Sequence, residues 1–415
     1  MAAPYPSRRA FFGSAVLAGL GGLFRPAVAA EIRKNQKRAI LVWMAGGPSQ
    51  FETWDPKPGE WSAGPHATIP TGIPGVRFDE YMPRLAGLAD KMVVVRTVTS
   101  KSQEHEQATV TGISGTPPAG GHPAPSWLSV CAHELVDDGH WPAFAALGQP
   151  ALAEYRMPGG GFLGPRYDPL LCPGNGNPPE GFPTSGADGK MVRRREALRD
   201  RLGSDFRFGH DADRLAGHDA AFGQIGALLD RGRMFDLSRL PIRRAEPYGN
   251  TPFGRDCLLA CQMVEQGVPF VLISTPWLEW DLHTDLKSNQ SKVTAKFDTA
   301  VGALVNDLIA RGLWEHTLVV LMGEFGRSPN FSGGRDHWSK CWSMSFGGAG
   351  TRGGVVVGAT SDKGTEIKER PVTVPDLLVT FYQALGVDPR KEVDVQGRPT
   401  PFVDRGAGAP IKEAL

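Results

Sequence analysis

The chain has 415 residues, 52 of them Gly and 35 Pro, with 41% hydrophobic and 21% charged residues. That apolar share supports a packed core and excludes general disorder, while Gly and Pro without a three-residue period exclude collagen. The 45 Lys+Arg nearly balance the 44 Asp+Glu, for a formal charge of +1. No cationic surplus exists to hold a nucleic-acid backbone, so no nucleic-acid partner is expected.

Ser7-Arg8-Arg9-Ala10-Phe11-Phe12 is a twin-arginine pattern, an apolar run follows from Gly13 to Phe24, and Ala27-Val28-Ala29 offers the small residues a signal peptidase reads. Residues 1–29 therefore read as a twin-arginine signal peptide, which predicts a periplasmic or secreted protein. The twin-arginine translocation machinery is its expected partner during export. The apolar run is too short for a permanent membrane span. Cleavage after Ala29 leaves 42 basic against 44 acidic side chains, a net charge of −2. Export by this route suits a protein folded beforehand around a metal.

Five apolar runs then read as buried strands: Ala39–Met44, Met92–Thr97, Pro269–Ser274, Leu318–Met322 and Met344–Phe346. The first four are continuous rather than alternating, the pattern of a sheet covered on both faces. The stretch from Thr116 to about Asn250, rich in Gly and Pro, shows no clean strand period and reads as a large insertion or cap over the sheet. Leu258, Leu259, Met263 and Val264 recur at helical spacing ahead of Gly267, and Val293, Phe297, Ala300, Val301, Leu304 and Leu308 do so ahead of Leu318. A late helix opens with Pro375 and Asp376 in its first turn and stops at Gly386. Strand and helix alternate, so the expected fold is α/β: a doubly wound, mostly parallel sheet in a single domain over 37–403, with the 116–250 insertion and a loose tail over 404–415.

The five Cys are Cys131, Cys172, Cys257, Cys261 and Cys341. Cys257 and Cys261 share a helix face, where small buried side chains explain them better than a bridge or a metal pair.

In open α/β sheets ligands bind beyond the carboxyl ends of the strands. Trp280-Asp281-Leu282-His283 follows the third run, Gly323-Glu324-Phe325-Gly326-Arg327 the fourth, and Gly334-Arg335-Asp336-His337-Trp338 comes a short loop later. Asp281, His283, Glu324, Asp336 and His337 thus offer three carboxylates and two imidazoles, a ligand set for one or two divalent cations, Zn, Mn, Fe or, with more oxygen, Ca and Mg. Two such cations about 4 Å apart could hold the attacking and leaving oxygens of a phosphoryl or sulfuryl transfer. Each piece alone also reads as a polar turn or a loop ion pair. Ser49, Ser100, His105 and Arg327 are the candidates for catalytic roles, with Ser49, Glu52 and Asp55 in the loop after the first strand and Ser100 and His105 after the second. Which residue is the nucleophile stays open. No Gly-x-Ser-x-Gly elbow, His-Glu-x-x-His helix or Gly-Lys-Ser/Thr phosphate loop occurs, nor the Cys/Ser-x-Pro-x-Arg string in which sulfatases make formylglycine.

Several motifs together resemble one family. Leu41–Asp55, Pro83–Ser100, His122–Trp127, Gly159–Leu163, Trp280–His283, Gly323–Pro329, Gly334–Trp338, Arg352–Thr360 and Glu369–Leu378 are similar in order and spacing to the twin-arginine-exported family of domain of unknown function 1501. This is a sulfatase-like branch related to the alkaline phosphatase superfamily. The resemblance runs from about Lys37 to Pro401. It implies a central sheet between helices, a two-metal site at the strand ends, and hydrolysis or transfer of phosphate or sulfate esters through a metal-bound hydroxyl nucleophile. Asp336 and His337 match the superfamily's adjacent Asp-His pair, and Asp281 and His283 its preceding ligand group. The chain departs from the pattern where Ala45-Gly46-Gly47 replaces the first-strand Asp and where no His follows His337. Two functions are consistent with this: an exported metal-dependent hydrolase acting on an anionic ester or glycan, or a non-catalytic member of the fold that binds a glycan or protein partner.

Overall fold

The computed structural model describes residues 36–116, 123–136, 142–148, 157–180, 182, 194, 232–403 and 407–415. The signal segment lies outside the described residues. Eleven strands position the site: β1 (Arg38–Trp43), β2 (Met92–Thr99), β3 (Phe144–Leu147), β4 (Leu170–Cys172), β5 (Phe270–Ser274), β6 (Thr317–Met322), β7 (Gly326–Arg327), β8 (His337–Trp338), β9 (Trp342–Gly347), β10 (Val355–Val357) and β11 (Val372–Thr373). The helices that cover them are α1 (His105–Ser114), α2 (Trp127–Leu135), α3 (Pro252–Glu265), α4 (Leu286–Ala310) and α5 (Val374–Leu385).

Nine strands form one sheet in the order β10-β2-β9-β6-β1-β5-β3-β4, with β11 also paired to β2. β1 lies parallel to β5 and β6, with Leu41 opposite Leu272 and Val320. Within this sheet only β9 runs antiparallel to its neighbours, β2 and β6. The expected mixed α/β body with a mostly parallel central sheet is therefore present.

The continuous apolar strands follow from cover on both faces. Along β1, Ile40 and Val42 point into a core shared with Cys257, Cys261, Phe297 and Leu304 of α3 and α4. Ala39, Leu41 and Trp43 point the other way, toward Trp127 of α2 and Phe381 of α5. Helix ends obey local chemistry: Thr251 caps α3 by accepting from Gly254 N, and Thr373 and Asp376 make a reciprocal capping box on α5, which stops at Gly386 with φ of +83°. All five cysteines are buried and free.

Two expectations need correction. The 116–250 stretch is not wholly an insertion over the sheet, because β3 and β4 lie inside it, β3 pairing with β5 and β4 with β3 in parallel. These strands are four and three residues long, too short to show a period. The tail is not loose over its described part either. Ile411 and Ala414 are fully buried, and Ile411 N donates to Thr380 Oγ1 at 2.9 Å. Two isolated apolar anchors fix it without any periodic pattern. Among the described residues no helix is long and apolar enough to cross a membrane.

Candidate metal centre

Four strand ends converge. β1 runs into Gly46 and Gly47, β5 into Trp280–His283, β6 into Glu324, and β2 into the loop that starts α1 at His105. Glycine makes the approach possible. Gly46 has φ of +112°, and a Cβ there would stand 2.7 Å from the backbone nitrogen of Asp281. The β7–β8 ribbon sets Arg327 opposite His337.

At the centre stands Asp281. Its Oδ1 lies 3.2 Å from His337 Nε2 and 3.0 Å from His283 Nε2. Its Oδ2 lies 3.5 Å from His105 Nε2, too poorly placed for a hydrogen bond, and that nitrogen is buried without a partner among the described residues. One donor atom each from His105, Asp281 and His337 falls within 4.8 Å of the others. His283 closes the group on the solvent side, its Nε2 at 3.1 Å from His337 Nε2.

His337 Nδ1 sits 2.8 Å from the carbonyl oxygen of Gln103. A carbonyl only accepts, so Nδ1 carries the hydrogen and a neutral His337 turns a bare lone pair on Nε2 inward. Burial, with the charge of Arg327, holds His337 below its ordinary value and favours that neutral form. Burial works against the charged form of His105 as well. There, the adjacent Asp281 carboxylate and the bond to Glu324, with the charges of both, more than offset it and raise the group to about 9. Burial would push Asp281 up, yet His105 and Arg327 hold it well below the usual carboxylate range. The pocket is thus an anionic cradle that keeps a proton on His105 when nothing more positive is present. A set of imidazoles around an ionised carboxylate fits a divalent cation, which competes with that proton.

The other sequence candidates fall in different places. Glu324 is buried beside the group, its Oε1 accepting from Gly46 N at 2.8 Å and lying 2.7 Å from His105 Nδ1. Its Oε2 is buried with no partner among the described residues. Asp336 lies outside, its side chain 88% exposed and one oxygen 3.2 Å from His283 Nδ1. Arg327, a candidate for a catalytic role, is instead spent inside the protein. It donates to Gly47 O at 2.8 Å, Arg335 O at 3.0 Å and Asp281 Oδ1 at 2.5 Å, and also to Gly46 O. Burial depresses its own ionisation, as it does for any cation taken from water.

Ser49 is buried with its Oγ accepting from Phe51 N at 3.3 Å. The Ser100 backbone nitrogen donates to Ser339 O at 2.9 Å, and its Oγ is buried without a partner among the described residues. Glu52 forms a buried ion pair with Arg335 at 2.8 Å, and Asp55 pairs with Lys57 at 2.9 Å. Sequence reasoning missed the Gln103 carbonyl and the Glu52–Arg335 pair. A backbone acceptor carries no residue-type signal, and a pair 283 residues apart in the chain has no local spacing to reveal it.

Residues 36–415 match the family model described as protein of unknown function (DUF1501). The chain belongs to the DUF1501 family. Among solved structures, this DUF1501 protein is similar to the lipoteichoic acid synthase LtaP from Listeria monocytogenes, with 12% identity, 91% of this chain and 80% of that one covered, and a TM-score of 0.41. It is similar also to the PsFucS1 sulfatase from Pseudoalteromonas sp. (13% identity, 87% and 71% covered, TM-score 0.43). A protein in the alkaline phosphatase superfamily from Vibrio parahaemolyticus shows 11% identity, 85% and 67% coverage and a TM-score of 0.39. No curated relative matches the sequence.

Proposed function

We propose that this DUF1501 protein is an exported metal-dependent hydrolase of phosphate or sulfate esters, with a divalent cation held by His105, Asp281 and His337. One observation carries the reading. The Nε2 atoms of His283 and His337 face each other at 3.1 Å, and both lie within 3.2 Å of the same Asp281 oxygen. With each ring's hydrogen on Nδ1, two Nε2 lone pairs crowd an ionised carboxylate oxygen; Arg327, donating to that oxygen, relieves part of the repulsion, and a divalent cation or a shared proton would relieve the rest.

A bound divalent cation would supply Lewis acidity toward an ester oxygen and make a nucleophile at neutral pH. The chain's own residues do the rest. Arg327 fixes Asp281 and keeps it ionised. Gln103 sets which nitrogen of His337 faces inward. Phe325 packs its ring 4.9 Å from His105 and 4.7 Å from His337, narrowing the access of water to the donors. An anionic ester or a glycan bearing one suits such a centre, and the twin-arginine leader suits a substrate outside the cytoplasm.

The second reading, a non-catalytic member that binds a glycan or protein partner, draws on the engagement of Arg327 and on Ser49, whose hydroxyl is committed to its own turn. A panel of aryl phosphates and aryl sulfates, run with Zn, Mn, Mg and Ca added separately, separates the two. Hydrolysis that disappears with Asp281→Ala supports the hydrolase. A metal-loaded, folded protein inert across the panel favours the binding role.

A further inference from the structure

Each imidazole of the centre has one nitrogen already committed. His105 Nδ1 lies 2.7 Å from Glu324 Oε1, His283 Nδ1 3.2 Å from Asp336 Oδ1, and His337 Nδ1 2.8 Å from the Gln103 carbonyl. A carbonyl or a carboxylate accepts and does not donate, so in a neutral ring each Nδ1 holds the hydrogen and Nε2 holds the lone pair. All three Nε2 atoms face Asp281, at 3.5, 3.0 and 3.2 Å. The acceptors come from three separate segments: the loop before α1, the end of β6 and the start of β8. Glu324 is fixed in turn by Gly46 N at 2.8 Å. Core packing explains one such pairing; it does not explain three rings aimed at one carboxylate.

We infer that the centre is a single three-nitrogen, one-oxygen site made by His105, His283, His337 and Asp281, in which Glu324 and Asp336 are positioning residues and not ligands, and that it takes a transition-metal cation such as Zn or Fe in preference to Ca or Mg. This rests on the cation of the proposed function and narrows its identity. Imidazole nitrogen suits Zn, Fe and, as a probe, Co, whereas Ca, Mg and Mn favour mostly oxygen. A carboxylate behind an imidazole fixes the tautomer and raises the basicity of the ligating nitrogen. The buried, unpartnered Nε2 of His105 is what a site awaiting a cation would leave. Glu324 also has an unpartnered buried oxygen, Oε2, which defines the rival arrangement in which Glu324 is itself a ligand.

The test is titration of the chelator-stripped mature chain with Zn, Co, Mg and Ca by calorimetry, with the visible spectrum of Co reporting its coordination. Zn and Co should bind at about one per chain and roughly 100-fold more tightly than Mg or Ca. Glu324→Ala and Asp336→Ala should each weaken Co by about 10- to 100-fold. Glu324→Gln and Asp336→Asn keep an acceptor in place and should recover most of that loss. If Glu324→Ala does not fold, the exposed Asp336 pair of variants carries the comparison. Glu324→Gln as weak as Glu324→Ala, with Asp336→Ala unaffected, overturns the assignment of roles, and Mg or Ca bound as tightly as Zn overturns the donor set. Either result leaves a cation in place and the hydrolase reading intact. Failure of all four metals to bind a folded chain would remove both.

Discussion

Arg327 donates from Nη2 to Asp281 Oδ1 at 2.5 Å while its own side chain is only 1% exposed. The arginine faces inward, and its charge is balanced by the carboxylate at the middle of the candidate centre. Removing one partner of a buried pair leaves the other charge uncompensated. Arg327→Met should therefore cost about 3–5 kcal/mol in chemical denaturation, and the surviving fold should hold metal less tightly. A variant that denatures like the parent would show that Arg327 does not support the site.

Glu52 and Arg335 make the same kind of contact deeper in the protein, both side chains fully buried at 2.8 Å. Arg335 also stacks its guanidinium 4.4 Å from the Phe51 ring and donates to the carbonyls of Ser62, Ser328 and Pro329. Glu52→Ala should destabilise by about 3–5 kcal/mol. A double-mutant cycle with Arg335→Met should show strong coupling, the double variant losing less than the two single losses combined. Additive losses would contradict the pairing.

His105 is raised from 6.5 to about 9, because the adjacent Asp281 carboxylate, the bond to Glu324 and the charges of both outweigh burial. The folded state then binds this proton more tightly than the unfolded chain does. Its contribution to stability is full below 6.5 and is lost as pH rises toward 9. The metal-free protein should weaken across that window, and His105→Asn should flatten the slope. Metal uptake displaces the same proton, so apparent affinity should rise by about tenfold per pH unit up to that value. Affinity independent of pH across the window would exclude His105 from the ligands.

Gly46 carries φ of +112°, and a Cβ on it would meet Asp281 N at 2.7 Å. Gly46→Ala combines backbone strain with a backbone clash, so about 1–3 kcal/mol of stability should be lost. Displacement of the Asp281 loop should lower metal content at the same time. Gly386→Ala, also at positive φ but with nothing within 4 Å, is the control. It should cost stability and leave metal content unchanged.

The central sheet was legible because its middle strands are continuous apolar runs, and each forms within two residues of the expected bounds at either end. β3 and β4 escaped because Phe144–Leu147 and Leu170–Cys172 are short and lie in a Gly/Pro-rich stretch. At the site, Asp281 and His337 were visible as polar groups after apolar strands. His105 was visible only as a catalytic candidate, since Glu324, which holds it, is 219 residues away in the chain. Asp336 and His337 look like one ligand pair in sequence. Neighbouring residues entering a strand point to opposite faces, and this alternation puts Asp336 in solvent while His337 faces Asp281.

Elemental analysis of the mature protein, purified from the exported fraction without chelator, tests most directly whether Asp281 and its imidazoles hold a metal. About one divalent ion per chain, lost in both Asp281→Ala and His337→Ala, is the predicted result. A folded protein with no bound metal, or with metal retained by both variants, would contradict it.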